Sequence, residues 1–367
     1  MHLFERLGDE YEQLVVCHDA PSGLRAIVAI HSTALGPSLG GTRFYPYSSE
    51  SDAVEDVLRL ARGMTYKSAA AGLDLGGGKA VIIGNPATVK TEELIRVYGR
   101  FVDSLGGRYI TAEDVGTTQA DMDLIFRETR YVTGVSRSLG GSGDPSAATA
   151  YGVWWAMKAA LETMDGSGEL AGRRVVVSGV GKVGTNLLRH LVEDRAHVTV
   201  ADVDDAAVNR MTREFGVVAV PVDEAHKLEC DILSPCALGA TLNEKTIPEL
   251  RCRAVVGSAN NQLATHQDGD RLADLGIVYV PDFVANAGGV INIAEELVGY
   301  HRARAYANVA GIYQTTRRVV AAAGEQGTTP AVAAERLAEQ RIAAVGGVPR
   351  LRTFESAGHQ RLARRLS

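Results

Sequence analysis

The chain has 367 residues, with 38 basic side chains against 44 acidic ones. That length predicts two domains, each able to bury its own core. An apolar content of 46% with mean hydropathy near zero excludes a disordered or collagen-like chain, and a net charge of −6 argues against a generic nucleic-acid binder.

Taken in chain order, Leu24 to Ile30 alternates and then runs apolar, which predicts a strand. Ser51 to Arg62 carries apolar residues at Ala53, Val54, Val57, Leu58 and Ala61, the spacing of a helix. Ala80 to Ile83 reads as a short buried strand. Thr91 to Leu105 reads as a helix capped by Thr91. Arg108 to Thr111 reads as a strand that ends at the acidic pair Glu113-Asp114. A Gly/Ser-rich stretch, Ser138 to Pro145, is the expected hinge, with Asp144-Pro145 opening a helix through Lys158 to Thr163. From Arg174 onward strands and helices alternate. Val175 to Val177, Val198 to Ala201, Val217 to Val220, Ile232-Leu233, Ala254 to Val256 and Ile277 to Val280 set the rhythm of a parallel sheet. The last 65 residues read as helical.

The composition also has its oddities. Forty glycines exceed the roughly 7% typical of proteins, so either loops are slack or many backbone positions need a missing side chain. Four cysteines (Cys17, Cys230, Cys236, Cys252) show neither a C-x-x-C pair nor zinc-ligand spacing, which predicts reduced thiols and no metal site. With no basic-then-apolar leader and no 18-residue apolar run, the expectation is a cytoplasmic protein with no membrane partner.

Gly179-Val180-Gly181-Lys182-Val183-Gly184 follows an apolar strand and opens a helix. The first glycine permits a tight turn, the second a close approach to a pyrophosphate, and the third close helix–strand packing. Asp202 ends the next strand, where an acidic side chain meets a ribose 2′-hydroxyl and repels a 2′-phosphate. The expected cofactor is therefore NAD. A P-loop is excluded, because neither Gly78-Lys79 nor Gly181-Lys182 is followed by Ser or Thr.

Lysine is scarce, yet Lys67 and Lys79 lie twelve residues apart in glycine-flanked settings. Glycines around a lysine would let substrate and cofactor both reach the amine, and a nearby second cation would disfavour its charged form. A flexible turn carrying a solvated lysine explains Gly76-Gly77-Gly78-Lys79 equally well.

The segment Leu73-Asp-Leu-Gly-Gly-Gly-Lys-Ala-Val-Ile-Ile-Gly-Asn-Pro86 resembles the active-site signature of the glutamate/leucine/phenylalanine/valine dehydrogenases. The resemblance continues through Leu35 to Arg43, Met64 to Lys67, Thr111 to Gly116, Pro235 to Ala237, Ser258 to Asn261 and Asn286 to Gly289, in family order. It implies an α/β chain with three parts. Residues 1–140 would form a substrate, catalytic and oligomerisation domain, 141–330 a Rossmann-like NAD domain, and 331–367 helices partly returning to the first domain. The implied reaction is reversible oxidative deamination of an amino acid to a 2-oxo acid, ammonium and NADH, carried out by a homo-oligomer.

By the same resemblance Lys67 grips the substrate α-carboxylate and Lys79 activates the attacking water. Asp114 exchanges protons with the amine. Gly40, Gly41, Met64, Ala112 and Asn260 line the substrate. Arg43, Thr149, the Gly179–Gly184 loop, Asp202, Val203, Cys236, Ala237, Ala259 and Asn260 surround the cofactor.

The glutamate enzymes place a lysine where this chain has Leu39, and a serine where it has Ile293. A charged substrate side chain would thus be buried unpaired. Leu39, Val290 and Ile293 imply an aliphatic substrate, valine first, with leucine and isoleucine overlapping. Two rivals remain: a phenylalanine-specific member, and a catalytically silent NAD-binding regulator. Against the second, a non-catalytic binder has no need of Lys67, Lys79 and Asp114 together. A 2-hydroxy-acid dehydrogenase is disfavoured, because no histidine sits in a comparable His–acid motif.

Overall fold

A computed structural model describes residues 3–347, and two sheets organise them. The first contains β1 (Gln13–Asp19), β2 (Leu24–Ser32), β3 (Ser38–Tyr45), β4 (Gly76–Ile83) and β5 (Tyr109–Glu113), in the spatial order β1-β2-β4-β3-β5. β1 pairs antiparallel with β2, and β2 antiparallel with β4, whereas β3 runs parallel to β4 and β5. Side chains alternate across β2 and β4. Ile27, Ala29 and Val81 pack with Val54, Val57, Leu58 and Ala61 of the Glu50–Ala70 helix. Val28, Ile30, Ala80 and Ile82 pack on the other face with Leu94, Tyr98 and Val102 of the Glu92–Ser104 helix.

Three expectations change here. The helix read over 51–62 runs on to Ala70, and the added turns carry Met64 and Lys67. The strand read from Ala80 begins at Gly76, so Gly76-Gly77-Gly78-Lys79 is central strand rather than turn. β1 and β3 have no counterpart in the sequence reading. β3 is nearly all buried and carries Gly40-Gly41, so it shows no polar alternation to find.

The second sheet contains β6 (Arg174–Ser178), β7 (His197–Ala201), β8 (Val218–Ala219), β9 (Cys230–Pro235), β10 (Cys252–Val255) and β11 (Val278–Tyr279). All pair in parallel, in the order β11-β10-β9-β6-β7-β8. Counted from β6, this is the doubly wound 3-2-1-4-5-6 arrangement, whose switch point lies between β6 and β9. Ligands bind at the carboxyl ends of strands flanking such a point.

Two carboxylates tie down the connector between the sheets: Asp123 accepts the Ser136 N–H at 2.7 Å, and Glu296 holds two points. The Glu296 carboxylate accepts the Gly134 N–H at 3.1 Å and the Ser142 N–H at 2.8 Å. The following helix begins at Ser146, one residue later than the Asp144-Pro145 reading. Pro145 takes the N-cap position, and Asp144, one residue before it, accepts the Ser146 N–H at 2.8 Å.

Helices Arg302–Ala310, Ile312–Gln326 and Pro330–Gly346 follow. The last returns to the first sheet, where Leu35 and Ala69 pack on Ala338 and Arg341 pairs with Asp74 at 2.7 Å. The helical reading of residues 348–367 lies outside the described residues. Among those described, no helix is long and apolar enough to cross a membrane.

Candidate active site

The site is built where the two sheets face each other, and glycine packing sets its dimensions. Lys79 lies on the β4 face that carries Val81, beneath the Glu50–Ala70 helix. A Cβ on Gly77 would run into the backbone of Thr65. The missing side chain therefore lowers that helix onto the sheet and brings Lys67, in its last turn, down to the level of Lys79. Gly40 lies against the Gly78 carbonyl, and Gly41 against Glu113 and Asp114, so β3 and the Asp114 loop also close on β4. The reading of these glycines as space for ligands is corrected: the space is already filled by neighbouring backbone. Gly181, by contrast, has nothing within 4 Å of a built Cβ.

Lys79 is buried, and its ammonium forms an ion pair with Asp114 Oδ2. Burial alone would raise the Asp114 carboxyl, but Lys79 and Arg43 outweigh it and hold the group below the ordinary carboxylate value. The Asp114 N–H donates to Thr117 Oγ1 at 2.9 Å, and that hydroxyl donates to the Thr42 carbonyl, which fixes the loop to β3.

Lys67 reaches across the cleft and donates to Asn260 Oδ1 at 3.2 Å. Burial, opposed by Asp282 and reinforced by Lys79, brings its ammonium down to about 8. Asn260 Oδ1 also accepts from Asn286 Nδ2 at 2.8 Å, and the buried Asn286 Oδ1 has no partner. Asn286 stands in a motif quoted for the resemblance but received no role there. Asp282 gave no signal in the sequence.

The apolar wall is continuous across both sheets. Leu39 and Val290 are buried in one cluster with Ala148, and Met64 and Ile293 pack against it. Ala112 is buried opposite Gly41 in the β3–β5 pairing.

At the switch point, Gly179 closes on Cys236 and Ala237, and Gly184 on the Gly179 carbonyl. Gly181 is the N-cap of the Lys182–Glu193 helix, with no side-chain cap, so the first amides of that helix remain available to an anion. Asp202 is held by the Val180 N–H at 2.7 Å and the Asp204 N–H at 3.0 Å. It lines a hollow of about 570 Å³ with Val180, Gly181 and Lys182. An open cradle at Gly181, uncapped helix amides and a fixed carboxylate beyond them fit a dinucleotide.

Val183 packs on the core, whereas Val203 is 88% exposed beside Asp202. Thr149 Oγ1 donates to the Pro145 carbonyl at 3.1 Å and abuts Gly289. Ala259 is buried next to Asn260. Arg43 stands apart from this group: its guanidinium turns into the first domain, onto Asp56 at 2.8 Å and Asp114 at 3.6 Å.

Comparison with known proteins agrees with this geometry. Residues 12–131 match the Glu/Leu/Phe/Val dehydrogenase dimerisation domain, and residues 140–211 and 204–345 match the Glutamate/Leucine/Phenylalanine/Valine dehydrogenase model. The chain is 52% identical to a leucine dehydrogenase of Bacillus subtilis over the full length of both. It is 54% identical to a valine dehydrogenase of Streptomyces albus over 93% of this chain and 94% of that one. An L-tryptophan dehydrogenase structure from Nostoc punctiforme superposes with a TM-score of 0.81 at 44% identity, covering 93% of this chain and 98% of that one. The chain belongs to the Glu/Leu/Phe/Val dehydrogenase family.

Proposed function

We propose that the chain catalyses NAD-dependent oxidative deamination of branched-chain L-amino acids, valine foremost with leucine and isoleucine, and the reverse amination. One observation carries the reading: Lys67, Lys79 and Asp114 lie within electrostatic reach of one another, and Leu39, Met64, Val290 and Ile293 belong to one apolar cluster that draws on both sheets. Two cations and one carboxylate suit an amino acid backbone, and a wall with no charge suits an aliphatic side chain.

Lys67 holds the α-carboxylate, and Asn260, braced by Asn286, orients it. Asp114, kept ionised by its cationic neighbours, takes a proton from the substrate ammonium so that the free amine reacts. When bound, the nicotinamide ring supplies the acceptor for the α-hydrogen. Lys79 then directs water onto the substrate iminium carbon and stabilises the developing oxyanion. Asp114 returns a proton to the nitrogen, which departs as ammonia as the carbonyl forms. Of the two protons given up by the attacking water, one converts the ammonia to ammonium and the other passes to solvent, leaving the 2-oxo acid. The Gly179–Gly184 loop would hold the pyrophosphate and Asp202 the adenosine ribose, with Val203, Cys236 and Ala237 beside it and Thr149 and Ala259 toward the nicotinamide.

We place the division between domains near residue 140, and assign the described helix Pro330–Gly346 to the segment that partly returns to the first domain. Assembly as a homo-oligomer is supported by the dimerisation-domain match and by the free edge of β1, where Val16 is exposed. A cytoplasmic setting suits four unpaired cysteines.

The test is NADH formation with a panel of L-valine, L-leucine, L-isoleucine, L-phenylalanine, L-tryptophan and L-glutamate at mildly alkaline pH. Turnover is expected with the aliphatic three and negligible with glutamate. Silence with all three aliphatic substrates refutes the proposal, and a preference for phenylalanine or tryptophan refutes the assigned wall.

A further inference from the structure

β3 and β5 part just where Asp114 stands. The two strands run parallel, with Ser38 opposite Tyr109 and Thr42 opposite Glu113. Ser38 donates its N–H to the Arg108 carbonyl at 2.9 Å, one residue before its partner. In a parallel ladder alternate residues of a strand repeat such bonds at even spacing. Carried along β3, the pattern would send the Asp114 N–H to the Thr42 carbonyl, and the Phe44 N–H to the Asp114 carbonyl. Both bonds are diverted. The Asp114 N–H donates to Thr117 Oγ1 at 2.9 Å, and the Phe44 N–H donates to the Val115 carbonyl at 2.8 Å. The Thr117 hydroxyl proton faces the Thr42 and Asp114 carbonyls, 2.9 Å from each. One side-chain oxygen thus stands inside the ladder, and pairing resumes a residue late.

An inserted residue of this kind bends a strand and re-aims the side chain beside it. Here that side chain is Asp114, whose Oδ2 meets the Lys79 ammonium. The mount is firm. Thr117 and Thr42 are buried, and the Thr42 hydroxyl lies 2.6 Å from both the Tyr98 and the Thr111 hydroxyls. Gly116, at φ +81°, lies against the Phe44 carbonyl, and Lys90 donates to the Gly116 carbonyl at 3.2 Å. The neighbouring hydroxyl of Thr118 is engaged elsewhere, capping the Gln119–Phe126 helix.

We propose that Thr117 is a positioning residue: its hydroxyl, spliced between the Asp114 N–H and the Thr42 carbonyl, turns the Asp114 carboxylate onto Lys79 for proton exchange. A hydroxyl suits the place because it accepts one hydrogen bond and donates the next. Without it, either a buried N–H and carbonyl stay unpaired, or the ladder closes directly and carries Asp114 round with it. In both cases the carboxylate leaves its post.

The inference rests on the proposed role of Asp114, and the test separates the two. Thr117→Val keeps the volume and removes the hydroxyl, whereas Thr117→Ser keeps the hydroxyl. Thr117→Ala is the second hydroxyl-free variant, should the valine fail to fold. These, Asp114→Asn, and each hydroxyl-free change combined with Asp114→Asn are compared by kcat, valine KM and NADH affinity from fluorescence titration. Loss of the hydroxyl is expected to lower kcat by about ten- to a hundredfold, the scale of a reacting group misplaced by about 1 Å. NADH affinity and valine KM should stay close to their original values. Thr117→Ser should retain most of kcat, and in the Asp114→Asn background loss of the hydroxyl should have no further effect. Undiminished kcat without the hydroxyl, beside an impaired Asp114→Asn, overturns the positioning role and leaves that of Asp114 standing. An equal loss in both backgrounds, or a Thr117→Ser variant as slow as Thr117→Val, overturns it by reducing Thr117 to a structural part. Undiminished kcat in Asp114→Asn removes the role of Asp114, and the positioning with it.

Discussion

If Lys67 grips the substrate carboxylate as proposed, its lowered value near 8 makes that capture a function of pH. Burial disfavours the ammonium, so the folded protein releases this proton more readily than an exposed lysine does. Below pH 8 the ammonium is present and attracts a carboxylate; above it the charged fraction falls to about one tenth by pH 9 and about one hundredth by pH 10. An unreactive branched carboxylate such as 3-methylbutanoate isolates this step, because it has no amine to titrate. Its inhibition constant should be level at neutral pH and then rise about tenfold per unit above 8. Lys67→Arg removes the rise, since a guanidinium stays charged throughout. Inhibition constants measured against NADH-forming turnover from about pH 7 to about pH 10 give the curve. A flat profile in the wild-type protein, or an unaltered rise in Lys67→Arg, refutes the assignment of Lys67 to the carboxylate.

Other outcomes follow from the same geometry. Lys79→Ala should lose turnover by about 10²–10⁴-fold while still binding NADH, checked by stopped-flow turnover beside fluorescence titration. Leu39→Lys buries a charge with no partner opposite an aliphatic substrate and should reduce kcat/KM for valine by more than about tenfold. Gly77→Ala forces the Thr65 backbone away from the sheet, so denaturant melts should show a loss of about 1–3 kcal/mol together with a raised amino acid KM. Asp202→Ala should lessen discrimination against NADPH, read as the ratio of kcat/KM values for the two coenzymes.

Much of this site was legible because its parts are local. The Gly179–Gly184 turn, the strand end at Asp202 and the helix spacing from Ala53 to Ala61 are each written within a few residues, and each has its own physical signature. What escaped was the geometry between distant segments. Asp56 sits in an ordinary amphipathic helix, and nothing in its neighbourhood reveals that it braces a β3 arginine. β3 itself is buried on both faces, so its sequence lacks the alternation that marks a strand. The glycines mislead in an instructive way. A string such as Gly76-Gly77-Gly78 records that something comes close, and only the fold shows that the neighbours are Ser32, Thr65 and Ser38 rather than a ligand.

The returning Pro330–Gly346 helix has a consequence for the order in which the molecule can mature. Tyr66 donates to Glu339 across 273 residues of chain, and Arg341 reaches back 267 residues to Asp74. The helix that presents Lys67 is therefore sealed on its outer side by nearly the last described segment to leave the ribosome. Contacts of such long range slow folding and leave apolar surface waiting for its cover. A nascent chain stopped before Pro330 carries every residue assigned to the chemistry, yet Leu35 and Ala69 remain open to water. The outer cover of the helix that carries Lys67 is thus completed only with one of the last described segments to be synthesised.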